Sequence, residues 1–174
     1  MPYIIDTNSF IEPFRVYYPF DLAPTFWNIL ASSIRTRKII FLKVVETELT
    51  KHYSDELAKW VKNLDGIRSI QVNNDQKIVD NYGKIFEYIH SCGLYTERAI
   101  MNWSGNGENV ADPWIIATAL KLSANIITSE KSAAGNLAKN HRANNPKIPD
   151  VAKHFGIKCV SIFDFLRAIN FKFK

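Results

Sequence analysis

Four acids, Asp6, Glu48, Asp112 and Glu130, each stand where a strand ends or a helix begins. Brought together, they repel. Two carboxylates about 4 Å apart oppose one another by roughly 4 kcal/mol at an effective dielectric of 20. A divalent cation offsets that repulsion. Mg²⁺ takes oxygens from one or two carboxylates, keeps several waters and leaves positions for phosphate oxygens. Two ions roughly 3.5–4 Å apart can clamp the attacking water and the leaving oxygen of a phosphodiester. Such chemistry needs neither a thiolate nor an essential histidine. Zinc fits poorly, because the four histidines and two cysteines are not clustered at ligand spacing.

The acids are positioned by an alternation of short apolar runs and amphipathic stretches. Tyr3-Ile4-Ile5 reads as a buried strand that stops at Asp6, with a helix starting near Asn8. Ile39 to Leu42 is a second strand, and a helix begins directly after it. On that helix Val44, Val45, Glu48 and Leu49 share one side, whereas Lys43 and Glu46 point elsewhere. Helices are expected over Pro24 to Ser33, over Asp55 to Asn63 with Ser54 as N-cap, over Asn74 to Cys92, and from Thr96 onward. Tyr17 to Asp21 reads as a loop with aromatic anchors, and Ser104 to Gly107 as a flexible loop. Asp112 and Pro113 read as N-cap and first helical residue, with Ile115, Ile116, Ala119 and Leu122 burying one face. Asn125 to Thr128 is a third strand, ending in Ser129-Glu130-Lys131. A polar, basic loop spans Lys139 to Lys147. A short helix over Val151 to Phe155, a strand over Ile157 to Val160 and a last helix from Ser161 follow, with Ser161 and Asp164 as an approximate capping box.

Strands separated by helices imply a parallel sheet with helices on both faces, and the strands' carboxyl ends share one edge. In such sheets that edge is where ligands bind. Each acid also has an ordinary alternative. Asp6 and Asp112 suit helix caps, each stabilising by about 1 kcal/mol, and Glu130 suits a helix N-terminus. Glu48 is different, because no cap of its own helix explains its place.

The 174 residues suit one domain, residues 1–174. At 47% hydrophobic and 22% charged the chain can bury a core, and its net charge is +5. From Lys121 to Lys174 ten lysines and arginines face three acids, which suits a polyanionic partner and equally an ordinary solvated surface. Cys92 and Cys159 lack zinc-ligand spacing, which fits a reducing cytoplasm. No apolar run approaches the roughly 20 residues that span a bilayer, and no signal peptide is visible, so no membrane partner is expected.

Taken in order, the motifs resemble those of the PIN-domain ribonucleases, including VapC-type toxins. Ile4-Ile5-Asp6-Thr7-Asn8 is similar to the family's opening strand and turn. Val44 to Leu49 is similar to its second motif, whose acid falls on Glu48. Ala111-Asp112 with Ile115, Ala117, Ala119 and Leu120 resembles the third motif, and Thr128-Ser129-Glu130 the fourth, with Glu where Asp is usual. The chain is longer than a minimal VapC toxin, with extra helical material between Glu48 and Asp112. The segment Ile148-Pro149-Asp150-Val151 resembles a less characterised PIN-like branch.

The resemblance implies a three-layer fold with a central parallel sheet of four to five strands. It implies metal-dependent hydrolysis of RNA to a 3′-hydroxyl and a 5′-phosphate. Asp6, Glu48, Asp112 and Glu130 would hold one or two Mg²⁺ or Mn²⁺ ions, and Thr7, Asn8, Thr128 and Ser129 would orient ligands. Lys43, Lys131 or other basic residues would guide the phosphate backbone. Asp150 either joins the metal site or caps its own helix, and the cap is preferred. Toxin-like members imply an antitoxin and a homodimer. Two other readings stand beside this one. A phosphatase with a nucleophilic Asp6 would want an acid two residues on, where this chain has Asn8. A non-cleaving PIN-like module would bind nucleic acid or protein.

Overall fold

The computed structural model describes residues 1–51, 55–64, 66–105, 110–137 and 141–173. Four strands form one all-parallel sheet in the order β2-β1-β3-β4. They are β1 (Tyr3–Ile5), β2 (Ile39–Ile40), β3 (Asn125–Ile127) and β4 (Cys159–Val160). Ile4 pairs with Ile40 on one side and Ile126 on the other. From β1 the chain moves one way to β2, and β3 lies on the opposite side. The crevice between the carboxyl ends of β1 and β3 is therefore the topological switch point, where open parallel sheets bind ligands.

Nine α-helices flank the sheet among the described residues, giving the three-layer α/β architecture that the motif order leads one to expect. They are α1 (Asn8–Glu12), α2 (Pro24–Arg35), α3 (Lys43–Lys51), α4 (Glu56–Lys62), α5 (Gln76–Ser91), α6 (Glu97–Ser104), α7 (Ala111–Leu122), α8 (Ile148–His154) and α9 (Ile162–Ala168). Right-handed crossovers put α2 on one face and α7 and α8 on the other. Edge-on contacts of Tyr3 with Phe165 and of Tyr17 with Phe163 seat α9 on the side of α2. Among the described residues no helix is long and apolar enough to cross a membrane.

Several boundaries differ from the expected ones. β2 stops at Ile40 because the chain turns into α3 at Lys43; Leu42 instead bridges Ile70. The cap of α4 is Asp55, which accepts the Ala58 N–H at 3.1 Å; the expected cap, Ser54, lies outside the described residues. Asp75 caps α5 in the same manner. A π-helical turn at Pro13–Tyr17 takes in the first residue of the expected aromatic loop. From that loop Tyr18 offers its carbonyl to Trp27 Nε1 at 2.7 Å, while Phe20 packs on Trp27 and Trp60. Gly105 ends α6 at φ 77°, a left-handed conformation that suits glycine, and part of the flexible loop expected there is not described. The last strand shortens to two residues, and the Ser161–Asp164 capping box forms as expected.

The largest departure concerns α7. One apolar face was expected, yet Ile115 to Ala119 are all fully buried, and Leu122 only partly. The extra helical material explains this. α5 lies over the outer side of α7, Asn81 donates to the Ala117 carbonyl at 3.2 Å, and Tyr82 stacks on Trp114 at 4.0 Å. α7 is thus held between the sheet and a further helical layer, which fixes its N-terminus at the switch point.

Candidate functional site

Asp6 ends β1 and is 1% exposed. Its backbone N–H donates to the Ile127 carbonyl at 2.9 Å, which binds the strand end to β3. Its Oδ2 accepts the Thr128 hydroxyl at 3.0 Å, and the Asn8 N–H also reaches the carboxyl. The Thr128 oxygen in turn accepts the Glu130 N–H at 3.1 Å, so one threonine links two of the four acids. Burial pushes the Asp6 carboxyl up to about 7. The charges of Glu130 and Glu48 push the same way, and the hydrogen bonds from Thr128 and Asn8 push back.

Glu48 sits within α3, partly exposed, and both of its oxygens are engaged. One accepts the Thr7 hydroxyl; the other accepts the Ala111 N–H at 2.8 Å. This corrects the cap assignment of Asp112. The helix begins at Ala111 after Val110, so Asp112 lies inside its first turn, and the first N–H is satisfied from a distance by Glu48. A cap does explain part of Glu48's placement, but it is the cap of another helix. Glu48→Ala is expected to destabilise the protein by about 1–3 kcal/mol, because the Ala111 N–H loses its partner. Glu48→Gln, whose amide oxygen still accepts, should keep most of that stability. Chemical denaturation of the two variants makes the comparison.

The Asp112 side chain is partly exposed, and no hydrogen bond to its carboxyl is found among the described residues. Burial raises its carboxyl well above the usual range, the charges of Asp6, Glu130 and Glu48 raise it further, and Lys147 opposes them. All four acids therefore act on one another at the switch point.

Glu130 follows β3, and it too is doubly engaged. Lys147 Nζ donates to one oxygen at 2.8 Å, and the Ile148 N–H, first in α8, donates to the other at 2.8 Å. Asp150 does not cap α8. The helix begins two residues before it, and the Asp150 carboxylate instead accepts the Ser132 hydroxyl and the Ala133 N–H at 2.9 Å, pinning the segment after Glu130. Thr7 and Thr128 are buried and hydrogen-bonded to Glu48 and Asp6, whereas Asn8 and Ser129 have exposed side chains. Ser129 lines a cavity of about 160 Å³ with Ser9, Glu12, Tyr17 and Phe163. Lys43 is paired with Glu46 at 2.6 Å on α3, and Lys131 is exposed. The cation that faces the acids is Lys147. Nothing local in the sequence marks it, because the chain brings it back only after sixteen intervening residues. Cys159 lies near the acids too, but burial pushes its thiol up to about 12, which leaves it a poor nucleophile.

Among the described residues no three acid, histidine or cysteine side chains form a ready ligand set. Glu48 and Glu130 have their oxygens turned onto protein donors. Asp6 also accepts protein donors, from Thr128 and Asn8, but it and Asp112 are the two acids whose carboxyls are forced upward by burial and by their neighbours. Two carboxylates with room for waters are what Mg²⁺ takes from a protein when phosphate oxygens complete its shell. The donor set therefore fits a hard divalent cation. A family model described as "Domain of unknown function (DUF4411)" matches residues 3–173. No curated protein matches the chain.

Proposed function

The chain belongs to the DUF4411 family, and we propose that it is a metal-dependent endoribonuclease. The observation that carries this reading is the placement of Asp6 at the end of β1 and of Asp112 in the first turn of α7, both at the switch point of a parallel sheet and each opposed by neighbouring acids. The order of motifs, similar to that of PIN-domain ribonucleases, supports RNA as the substrate class. Assignment as the toxin of a toxin–antitoxin pair, with a protein inhibitor and a homodimer, rests on the resemblance alone.

Asp6 and Asp112 would hold Mg²⁺ or Mn²⁺, with Glu48 and Glu130 contributing their charge. When bound, the ion would polarise the phosphoryl oxygen and lower the pKa of a water. The chain's own residues do the rest. Thr128 fixes the Asp6 carboxyl, and Thr7 and the Ala111 N–H fix Glu48. Asp6 would be held ionised when the ion is bound, its proton having gone to solvent. A water would give up a proton and its oxygen would bond to phosphorus while the bond to the 3′ oxygen breaks; the 3′ oxygen takes a proton, and the phosphate stays on the 5′ oxygen of the downstream fragment.

Incubation with mixed-sequence single-stranded RNA tests this. Cleavage is expected with Mn²⁺, not with chelator, and the new 5′ ends should carry phosphate. Cleavage that survives chelation, or none with any divalent ion, would overturn it. A second reading, a non-cleaving module, is favoured by one observation. Lys147 already supplies a positive charge to the acids. Under that reading Mn²⁺ neither binds nor activates.

A further inference from the structure

The fourth acid and its lysine are built as a unit. Glu130 is one methylene longer than aspartate, and it spans from the end of β3 to two donors on the far side of the crevice: Lys147 Nζ and the Ile148 N–H, each at 2.8 Å. The base of this fork is rigid. Ile148 is fully buried, Pro149 follows it in the first turn of α8, and Lys147 leaves that helix from an extended backbone. The pair is asymmetric in exposure. The Glu130 side chain is 13% exposed and the Lys147 side chain 40%, so the carboxylate is enclosed and the ammonium reaches solvent. An ammonium has three donors. Among the described residues Glu130 is its one hydrogen-bond partner, which leaves two donors for an incoming anion. The fields of Asp112 and Asp6 both act on Lys147, which places its charge beside the acids that would hold the ion.

We propose that Lys147 is the residue that grips the scissile phosphate, and that Glu130 is its positioning residue rather than a direct ligand of the ion. This rests on the nuclease reading above. A phosphate drawn to an ion on Asp6 and Asp112 would meet this ammonium, whose place is set by Glu130 before substrate arrives. A fixed donor of this kind acts without reorganisation during the reaction. Its presence beside the acids also opposes binding of a second cation.

The test uses the full-length protein, Mn²⁺ and a mixed-sequence single-stranded RNA oligonucleotide. Lys147→Met is expected to lower the single-turnover cleavage rate by roughly 100-fold or more. The same change is expected to tighten Mn²⁺ binding, read by calorimetry without RNA, by roughly fivefold or more. Lys147→Arg should recover part of the rate. Glu130→Gln keeps an acceptor for the Ile148 N–H but frees the lysine. Its rate loss should vanish when it is combined with Lys147→Met, since the two act as one unit. A direct ligand would instead add its own loss in the double variant. Lys147→Met protein that cleaves at the wild-type rate overturns the proposal alone. Wild-type protein that binds Mn²⁺ but leaves RNA intact overturns the nuclease reading and this proposal with it. Should Lys147→Met lose its cooperative melt, Lys147→Gln carries the same comparison.

Discussion

In excess Mn²⁺ the wild-type protein is expected to melt higher by about 5–11 °C, and Asp112→Asn protein is expected to show no shift. The magnitude follows from binding to the folded state alone. An ion at a hundredfold over its dissociation constant stabilises by about 2.7 kcal/mol, and a domain of this size gains roughly 2–4 °C for each. Asp112 is the most informative position because its carboxylate has no structural bond to lose. It caps nothing, has no hydrogen-bond partner among the described residues and is opposed by Asp6, Glu130 and Glu48. Without metal, Asp112→Asn should therefore melt at or above the wild-type temperature, since the amide removes one buried like charge. Metal-free gain combined with loss of the Mn²⁺ response is a signature that a merely structural aspartate would not give. An unchanged Mn²⁺ shift in Asp112→Asn would remove Asp112 from the site.

The metal-free protein is expected to lose stability as pH rises from 5 to 8, by about 3 kcal/mol from Asp6. Asp6 is the source. Its folded carboxyl titrates at about 7 against an ordinary 3.8, so the folded state holds a proton that the unfolded state has already released. Between those values stability falls with each step in pH. Above 7 the full cost of an ionised, buried Asp6 is present. Asp112 is raised in the same direction and steepens the slope. Asp75 and Asp164 are held low, by Lys121 and Ser161, and both are ionised throughout this range. Melting temperatures across the range, in chelator, should drop by roughly 6–12 °C, and Asp6→Asn should flatten the profile. Mn²⁺ should reverse the trend, because its ligands must be ionised to bind. A metal-free profile that stays flat or rises with pH would contradict this account of Asp6.

The parallel sheet was legible because each strand is a short apolar run ending in polar residues, as Ile4-Ile5-Asp6 and Ile126-Ile127-Thr128 show. Their alternation with helices fixes the direction and the shared edge. The site was legible for the same reason, since residues that directly follow strands or open helices need little tertiary information to be placed. What the sequence concealed depends on distant pairings. The helix carrying Asp112 starts at Ala111 because Glu48, 63 residues away, satisfies its first N–H. Asp150 has the offset of a first-turn acid, yet its carboxylate is drawn to Ser132 and Ala133 on another segment. Ile115 to Ala119 of α7 are buried on every side because α5 covers the helix, which single-face periodicity cannot show. Lys147 is the clearest case. Its role is set by Glu130 across the crevice, and lysines nearer the motifs, Lys43 and Lys131, drew the expectation instead.

Anomalous diffraction from a crystal soaked in Mn²⁺ tests the central claim most directly. The expected result is a manganese peak between β1 and the start of α7, ligated by carboxylate oxygens of Asp6 and Asp112, with Lys147 still bonded to Glu130 nearby. A saturating soak that leaves those two carboxylates without a peak, or that places manganese only elsewhere on the surface, would contradict it.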